Sequence, residues 1–266
     1  MLLHIHHSTS YHYDEPVDYG LQQLRLTPKQ RDGQKLLNWD IVIEGGKKEL
    51  RYTDHHANIV DLVSLIPGSD RIAIHCSGEV EVTDTAGIVG LHHGFMPIWA
   101  FRQPTALTRP GPKIQALIDE LGTDYETDIM RAHALSALIL QHMPYQANHT
   151  DAYTPAERAV EIGYGVCQDH THVFLTAMRL LGHPARYVSG YLMMNEHKHQ
   201  DATHAWAEAY MDKVGWVGFD VSNGYSPDDR YVRVATGLDY KDASPVSGMR
   251  YGASSEKMIV QLQVQQ

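Results

Sequence analysis

A chain of 266 residues with 43% hydrophobic and 20% charged side chains has the make-up of an ordinary globular protein, large enough for one big domain or two smaller ones and too apolar for disorder as a whole. A formal net charge of −10, with no basic run or basic amphipathic helix to offset it, argues against nucleic acid and membrane as partners. The opening Met1-Leu2-Leu3-His4-Ile5-His6-His7 lacks the basic start and continuous apolar core of a signal peptide, and no later stretch offers about twenty uninterrupted apolar residues. A cytoplasmic location is the expectation, with Cys76 and Cys167 as free thiols.

From residue 1 to about 85 the pattern is one of short β segments. Leu3-His4-Ile5-His6, Leu21 to Leu26, Leu36 to Ile43, Ile59 to Ile66 and Arg71 to His75 alternate or are rich in β-formers. They are separated by Asp14-Glu15-Pro16, Pro28 to Gly33, Gly45-Gly46 and Pro67-Gly68-Ser69. An antiparallel sandwich is predicted for this region. Residues 86–112, ending in Thr108-Arg109-Pro110-Gly111-Pro112, read as a connector. Helical spacing then takes over in Lys113 to Leu121 and in Asp128 to Met143, where Pro144 stops the second helix. A third helix starts at Cys167, carries Val173, Phe174, Ala177, Met178 and Leu181 on one side, and ends near Gly182.

Three strand-like segments follow, Ala185 to Met193, His204 to Met211 and Gly215 to Ser222, which predicts helices packed on an antiparallel sheet, an α+β arrangement. Asn195 to Thr203, polar and rich in Lys and His, reads as a loop beside a site. From Tyr225 to about Gly252 the chemistry is that of a loop, and Met258 to Val264 alternates as a final strand. No internal repeat or low-complexity tract interrupts the chain.

The run Gly163-Tyr164-Gly165-Val166-Cys167-Gln168-Asp169-His170-Thr171-His172 places a cysteine at the head of an apolar helix, where unpaired N–H groups and the helix dipole favour a thiolate. A nucleophile of this kind needs a base within hydrogen-bonding reach and a third group to orient that base. His204 and Asp220 meet this need, on the strands Thr203 to Tyr210 and Gly215 to Asp220. The two share a face only if the intervening loop holds an odd number of residues. A loop of Asp212-Lys213-Val214 satisfies the condition and leaves Asp220 diagonal to His204, with backbones roughly 7–8 Å apart. Asp220 would then fix the imidazole tautomer, His204 would take the thiol proton, and the Cys167 backbone N–H would be a first oxyanion donor.

Cys76 reads as a strand residue, Arg186 as a residue that pairs an acid or holds its strand, and Trp206 as one that shapes the cleft, with a structural role for each at least as good a reading as a functional one. The 18 histidines lack the compact, repeated spacing of a zinc site, so neither a metal nor a cofactor is expected.

The segments Gly165-Val166-Cys167-Gln168-Asp169, Ala185 to Tyr191, His204-Ala205-Trp206-Ala207-Glu208 and Gly215 to Asp220 resemble, in order, the signatures of the bacterial transglutaminase-like family of papain-type cysteine enzymes. The β-rich region 1–85 resembles that family's bacterial N-terminal domain. Gly237 to Asp242, with Pro245 and Gly248, resembles its C-terminal segment, so that 113–266 would form the catalytic domain. The resemblance implies a Cys167-His204-Asp220 triad and acyl transfer through a thioester, with no cofactor, on a peptide or protein substrate. Hydrolysis of a peptide or amide bond is the first expectation, with transfer to an amine and a catalytically silent docking protein as alternatives. After the aspartate the family pattern leads to Pro-Thr-Asn, whereas this chain has Val221-Ser222-Asn223, which leaves the turn geometry open. Tyr164 and His170 receive no role.

Overall fold

The computed structural model describes residues 1–194, 199–200, 202–252 and 255–266, so most of the polar stretch from Asn195 to Thr203 lies outside the described residues. Strand β1, Leu2–Leu24, is the spine of the first sheet, joined by β2 (Gln34–Glu44), β3 (Gly46–Thr53), β4 (Ile59–Leu65) and β5 (Ser69–Val82). The break expected at Asp14-Glu15-Pro16 is instead an irregularity within one strand: β1 pairs with β5 from Leu2↔Glu81 to His12↔Arg71, then shifts register before Val17↔Ser69. Pro16 falls in that irregular stretch, where its missing N–H removes no ladder bond. The second half of β1 pairs with β4, and the folded sheet encloses Tyr11, Val17, Leu24, Val63, Ile72 and Ile74. At the β2–β3 turn Gly45 has φ +76° and sits so close to the Arg71 carbonyl that a Cβ would collide with it, which restricts the site to glycine.

The connector is not bare. It contains a short strand, β6 (Ile88–Gly90), and a 3-10 turn at Ile98–Arg102. Helices α1 (Pro112–Leu121) and α2 (Asp128–His142) match the predicted spans, and Thr127 Oγ1 caps α2 by accepting from the Met130 N–H at 3.2 Å. Helix α3 (Ala156–Ile162) has only seven residues, two turns, too few to mark the sequence with a period. Helix α4 is Cys167–Leu180.

The second sheet has the order β11-β7-β9-β10-β6, with β7 at Ala185–Leu192, β9 at His204–Met211, β10 at Gly215–Phe219 and β11 at Tyr231–Gly237; β8 (His199–Gln200) joins the first sheet. Helix α4 crosses this second sheet. The alternate residues Ala205, Ala207 and Ala209 belong to the same apolar core as Val173, Phe174 and Ala177, and their small side chains let the helix approach closely. The loop expected from Tyr225 to Gly252 is corrected by β11, a short helix α5 (Tyr240–Ala243) and β12 (Val246–Gly252). Every residue of β11 is buried, so the strand carries none of the alternation by which a half-exposed strand is recognised.

Strands β12 and β13 (Glu256–Gln265) both pair antiparallel with β1, so the last part of the chain returns to the first sheet. The sheets meet through Leu3, Ile5, Val80 and Val82 on one side and Tyr191, Val232 and Val234 on the other. Beside this seam Glu208 is buried between Arg186 at 2.6 Å and Arg233 at 2.9 Å, while the Arg186 guanidinium lies 3.8 Å from the Trp216 ring centre. These pairings give Arg186 a structural role.

Candidate active site

Cys167 is the first residue of α4 and half-buried, His204 is the first of β9, and Asp220 directly follows β10. The hairpin has the odd loop that the parity argument requires. Met211 pairs with Gly215 across Asp212-Lys213-Val214, and Phe219 pairs with Ala207, which puts Asp220 opposite Trp206 and diagonal to His204 on one face. The imidazole Nε2 lies 2.6 Å from Asp220 Oδ2. That bond uses one ring nitrogen, and the Cys167 sulfur is close enough to the same ring to favour its charged form.

The surroundings hold this pair still and charged. His204 is 7% exposed and Asp220 is fully buried. Burial alone would push the imidazole toward its neutral form, but the Asp220 carboxylate and the Cys167 sulfur outweigh it and raise the His204 pKa to about 10. Burial likewise opposes ionisation of Asp220, yet the facing His204 and the hydrogen bonds it receives hold its carboxyl below the usual range. Asp220 Oδ2 accepts from Asn223 Nδ2 and from the Tyr231 hydroxyl, each at 2.7 Å, as well as from His204. Trp206 stacks on the imidazole at 27° between planes, with centroids 6.3 Å apart.

On the Cys167 side Asp169, in the first turn of α4, accepts from the Val166 N–H at 2.8 Å and from the Thr150 hydroxyl at 2.6 Å. The carboxylate satisfies an end-of-helix donor and complements the helix dipole, while burial lifts its pKa above the ordinary value. Gln168 Nε2 donates to the Ala152 carbonyl at 3.1 Å, and the Gln146 N–H donates to Gly165 O at 2.9 Å. The segment 145–154 is thereby fastened along the cysteine loop.

Cys76 is remote from this site, in β5, where burial pushes its thiol up to about 12. His172 is fully buried, with its pKa lowered to about 3 by that burial, and accepts from the Tyr240 N–H at 3.2 Å. Among the described residues no three metal-ligating side chains converge. Sequence reasoning missed Tyr231 and Thr150. Asn223 was legible only as the residue of Val221-Ser222-Asn223 that agrees with the Pro-Thr-Asn pattern, with no role attached to it.

The chain matches the model of the transglutaminase-like superfamily over residues 115–221, which contain Cys167, His204 and Asp220, and that of the bacterial transglutaminase-like N-terminal region over residues 3–81. The chain belongs to the transglutaminase-like superfamily. An uncharacterized protein of Mycobacterium leprae is 26% identical to this transglutaminase-like chain over 277 residues, covering 97% of it and 96% of the relative. A Pseudomonas aeruginosa protein-glutamine gamma-glutamyltransferase is 26% identical over 166 residues, 53% of this chain and 23% of that protein. The fold is shared with the crystal structure of a "Putative Cysteine Protease from Cytophaga hutchinsonii", with a TM-score of 0.77 and 18% identity over 100% of this chain and 98% of that one.

Proposed function

We propose that this transglutaminase-like protein is a cysteine-dependent acyl-transfer enzyme that cleaves a peptide or amide bond, with Cys167 as nucleophile, His204 as base and acid, and Asp220 as orienter. The observation that carries the proposal is the buried 2.6 Å bond from His204 Nε2 to Asp220 Oδ2, beside a cysteine at a helix head. Membership of the superfamily supports cysteine-based catalysis in general.

In the first half-reaction the thiol proton already resides on Nδ1 of His204, whose charged form the Asp220 carboxylate favours, and the thiolate attacks the amide carbonyl carbon. The negative charge that develops on the carbonyl oxygen meets the Cys167 backbone N–H at the N-terminus of α4. Collapse breaks the C–N bond, the imidazolium gives its proton to the departing amine, and a thioester remains on Cys167. His204 then deprotonates a water, which attacks the thioester carbonyl and releases a carboxylic acid, and the proton stays on the imidazole beside the thiolate. Asp220 keeps the imidazole oriented and stabilises its charged form throughout. The steps draw on no cofactor.

A second reading replaces water by a primary amine at the thioester. The gamma-glutamyltransferase name of the Pseudomonas aeruginosa relative favours it, and the acyl-enzyme is common to both reactions.

The test is the rate of Cys167 alkylation by iodoacetamide against pH, in the intact protein and in His204→Ala. Cys167 is expected to react into mildly acidic solution in the intact protein and only in alkaline solution in the variant. Identical profiles in the two proteins would overturn the proposal and leave a docking protein. Mass analysis of peptides incubated with and without a primary amine then separates cleavage from transfer.

A further inference from the structure

His170 is fully buried and has both ring nitrogens engaged, yet it lies outside the Cys167-His204-Asp220 constellation. Its Nε2 is 2.7 Å from the Met143 carbonyl oxygen at the end of α2, and its Nδ1 is 2.8 Å from Ser222 Oγ. A carbonyl can only accept, so Nε2 carries the hydrogen. In the neutral ring Nδ1 is then an acceptor and the Ser222 hydroxyl donates to it. Burial lowers the His170 pKa and so favours this neutral form.

The two ends of this link sit on the elements that carry the reacting groups. His170 follows Cys167 by three residues on α4, which places it on the same side of the helix one turn deeper. Ser222 lies inside the turn that begins at Asp220, closed by the Gly224 N–H donating to Asp220 O at 2.8 Å, and Asn223 in the same turn donates to the Asp220 carboxylate. Apart from this link the turn meets the helical core through Phe219 and Val221, apolar neighbours that resist separation but set direction poorly.

We propose that His170 and Ser222 form a positioning strut that fixes the Asp220 turn relative to the head of α4, and with it the placement of the His204–Asp220 pair against Cys167. The strut rests on the triad reading above. It gives a use to His170 and to the hydroxyl of Ser222 in the unexpected Val221-Ser222-Asn223 turn. A buried histidine is a costly filler, because each ring nitrogen must find a partner. Here the partners come from the end of α2 and from the Asp220 turn, and α4 is held between them.

The experiment compares Ser222→Ala, His170→Gln, their combination and Ser222→Thr with the intact protein, reading the pH–rate profile of Cys167 alkylation by iodoacetamide together with the thermal midpoint. In H170Q the carboxamide nitrogen overlies ring Nε2 and can keep the bond to Met143 O while abandoning Ser222; S222T keeps the hydroxyl. Loss of one hydrogen bond is expected to slow alkylation at pH 6 by about tenfold in S222A and in H170Q. The double variant should be no slower than either single one, as for two ends of one link, and S222T should react as the intact protein does. A merely structural role would lower the thermal midpoint and leave the pH–rate profile in place.

An S222A profile identical to that of the intact protein, or a double-variant effect equal to the product of the two single ones, overturns the strut. Should H170Q fail to fold, the S222A and S222T pair decides alone. Failure of the triad reading looks different, because it appears in His204→Ala, as an unchanged profile, before any strut variant is made.

Discussion

Asp220 Oδ2 is the acceptor for three donors, His204, Asn223 and Tyr231, and this concentration of hydrogen bonds makes the pair sensitive to pH in a definite direction. His204 has its pKa raised from 6.5 to about 10, so the folded state binds the proton more tightly than the unfolded one. Its contribution to stability is complete below pH 6.5 and fades as pH rises through about 10. Asp220, whose pKa is held below 3.8, contributes above that value and ceases to as pH falls through its folded pKa. Urea unfolding at pH 6.5, 8 and 10 should therefore show a steeper loss of stability in the intact protein than in His204→Gln, and equal slopes would contradict the assignment. The histidine and the aspartate could be found in the sequence because a strand parity rule connects them across a three-residue loop. Tyr231 could not, because its hydroxyl reaches Asp220 from a strand on the far side of the second sheet, and no local pattern records such a contact.

Helix α4 is buried from Asp169 to Arg179 without interruption, unlike α1 and α2, which keep a polar face. Phe174 illustrates the consequence. It is fully buried, 5.1 Å between ring centroids from Phe219 of β10, so it packs the helix that begins with Cys167 onto the strand that leads to Asp220. Phe174→Ala should cost about 3–5 kcal/mol, the usual cost of a large cavity in a close-packed core, measurable as a fall in the urea midpoint at unchanged m-value. Elements with one wet face, such as α1, α2 and β13, leave their period in the sequence, and β9, although dry on both faces, shows through its alternation of small and large side chains. Strand β11 left none because both of its faces are dry, and β12 was masked by Gly248 and Gly252, which imitate loop chemistry while serving a pairing with β1.

At the scale of the molecule, the first sheet is built from both ends of the chain, and the second sheet and its helices are inserted between them. Local stitches reinforce the arrangement: Gln34 exchanges two hydrogen bonds with the Arg233 backbone, each 2.8 Å, and Asn58 does the same with Thr236, again at 2.8 Å. A protease cut near Phe95, which is 81% exposed, would divide the sequence between the first sheet and the helices without dividing the protein. The two pieces should elute together on size exclusion under native conditions and separate only in denaturant, and native separation would refute this account of the topology. The pairing of His4 with Gln265 has a mechanical consequence as well. Handles attached at those two residues would draw apart the adjoining ends of β1 and β13, so tension would fall on one rung of the ladder at a time, as in opening a zip. A protein that stays whole when cut in its middle would thus yield to a small force applied at its edges.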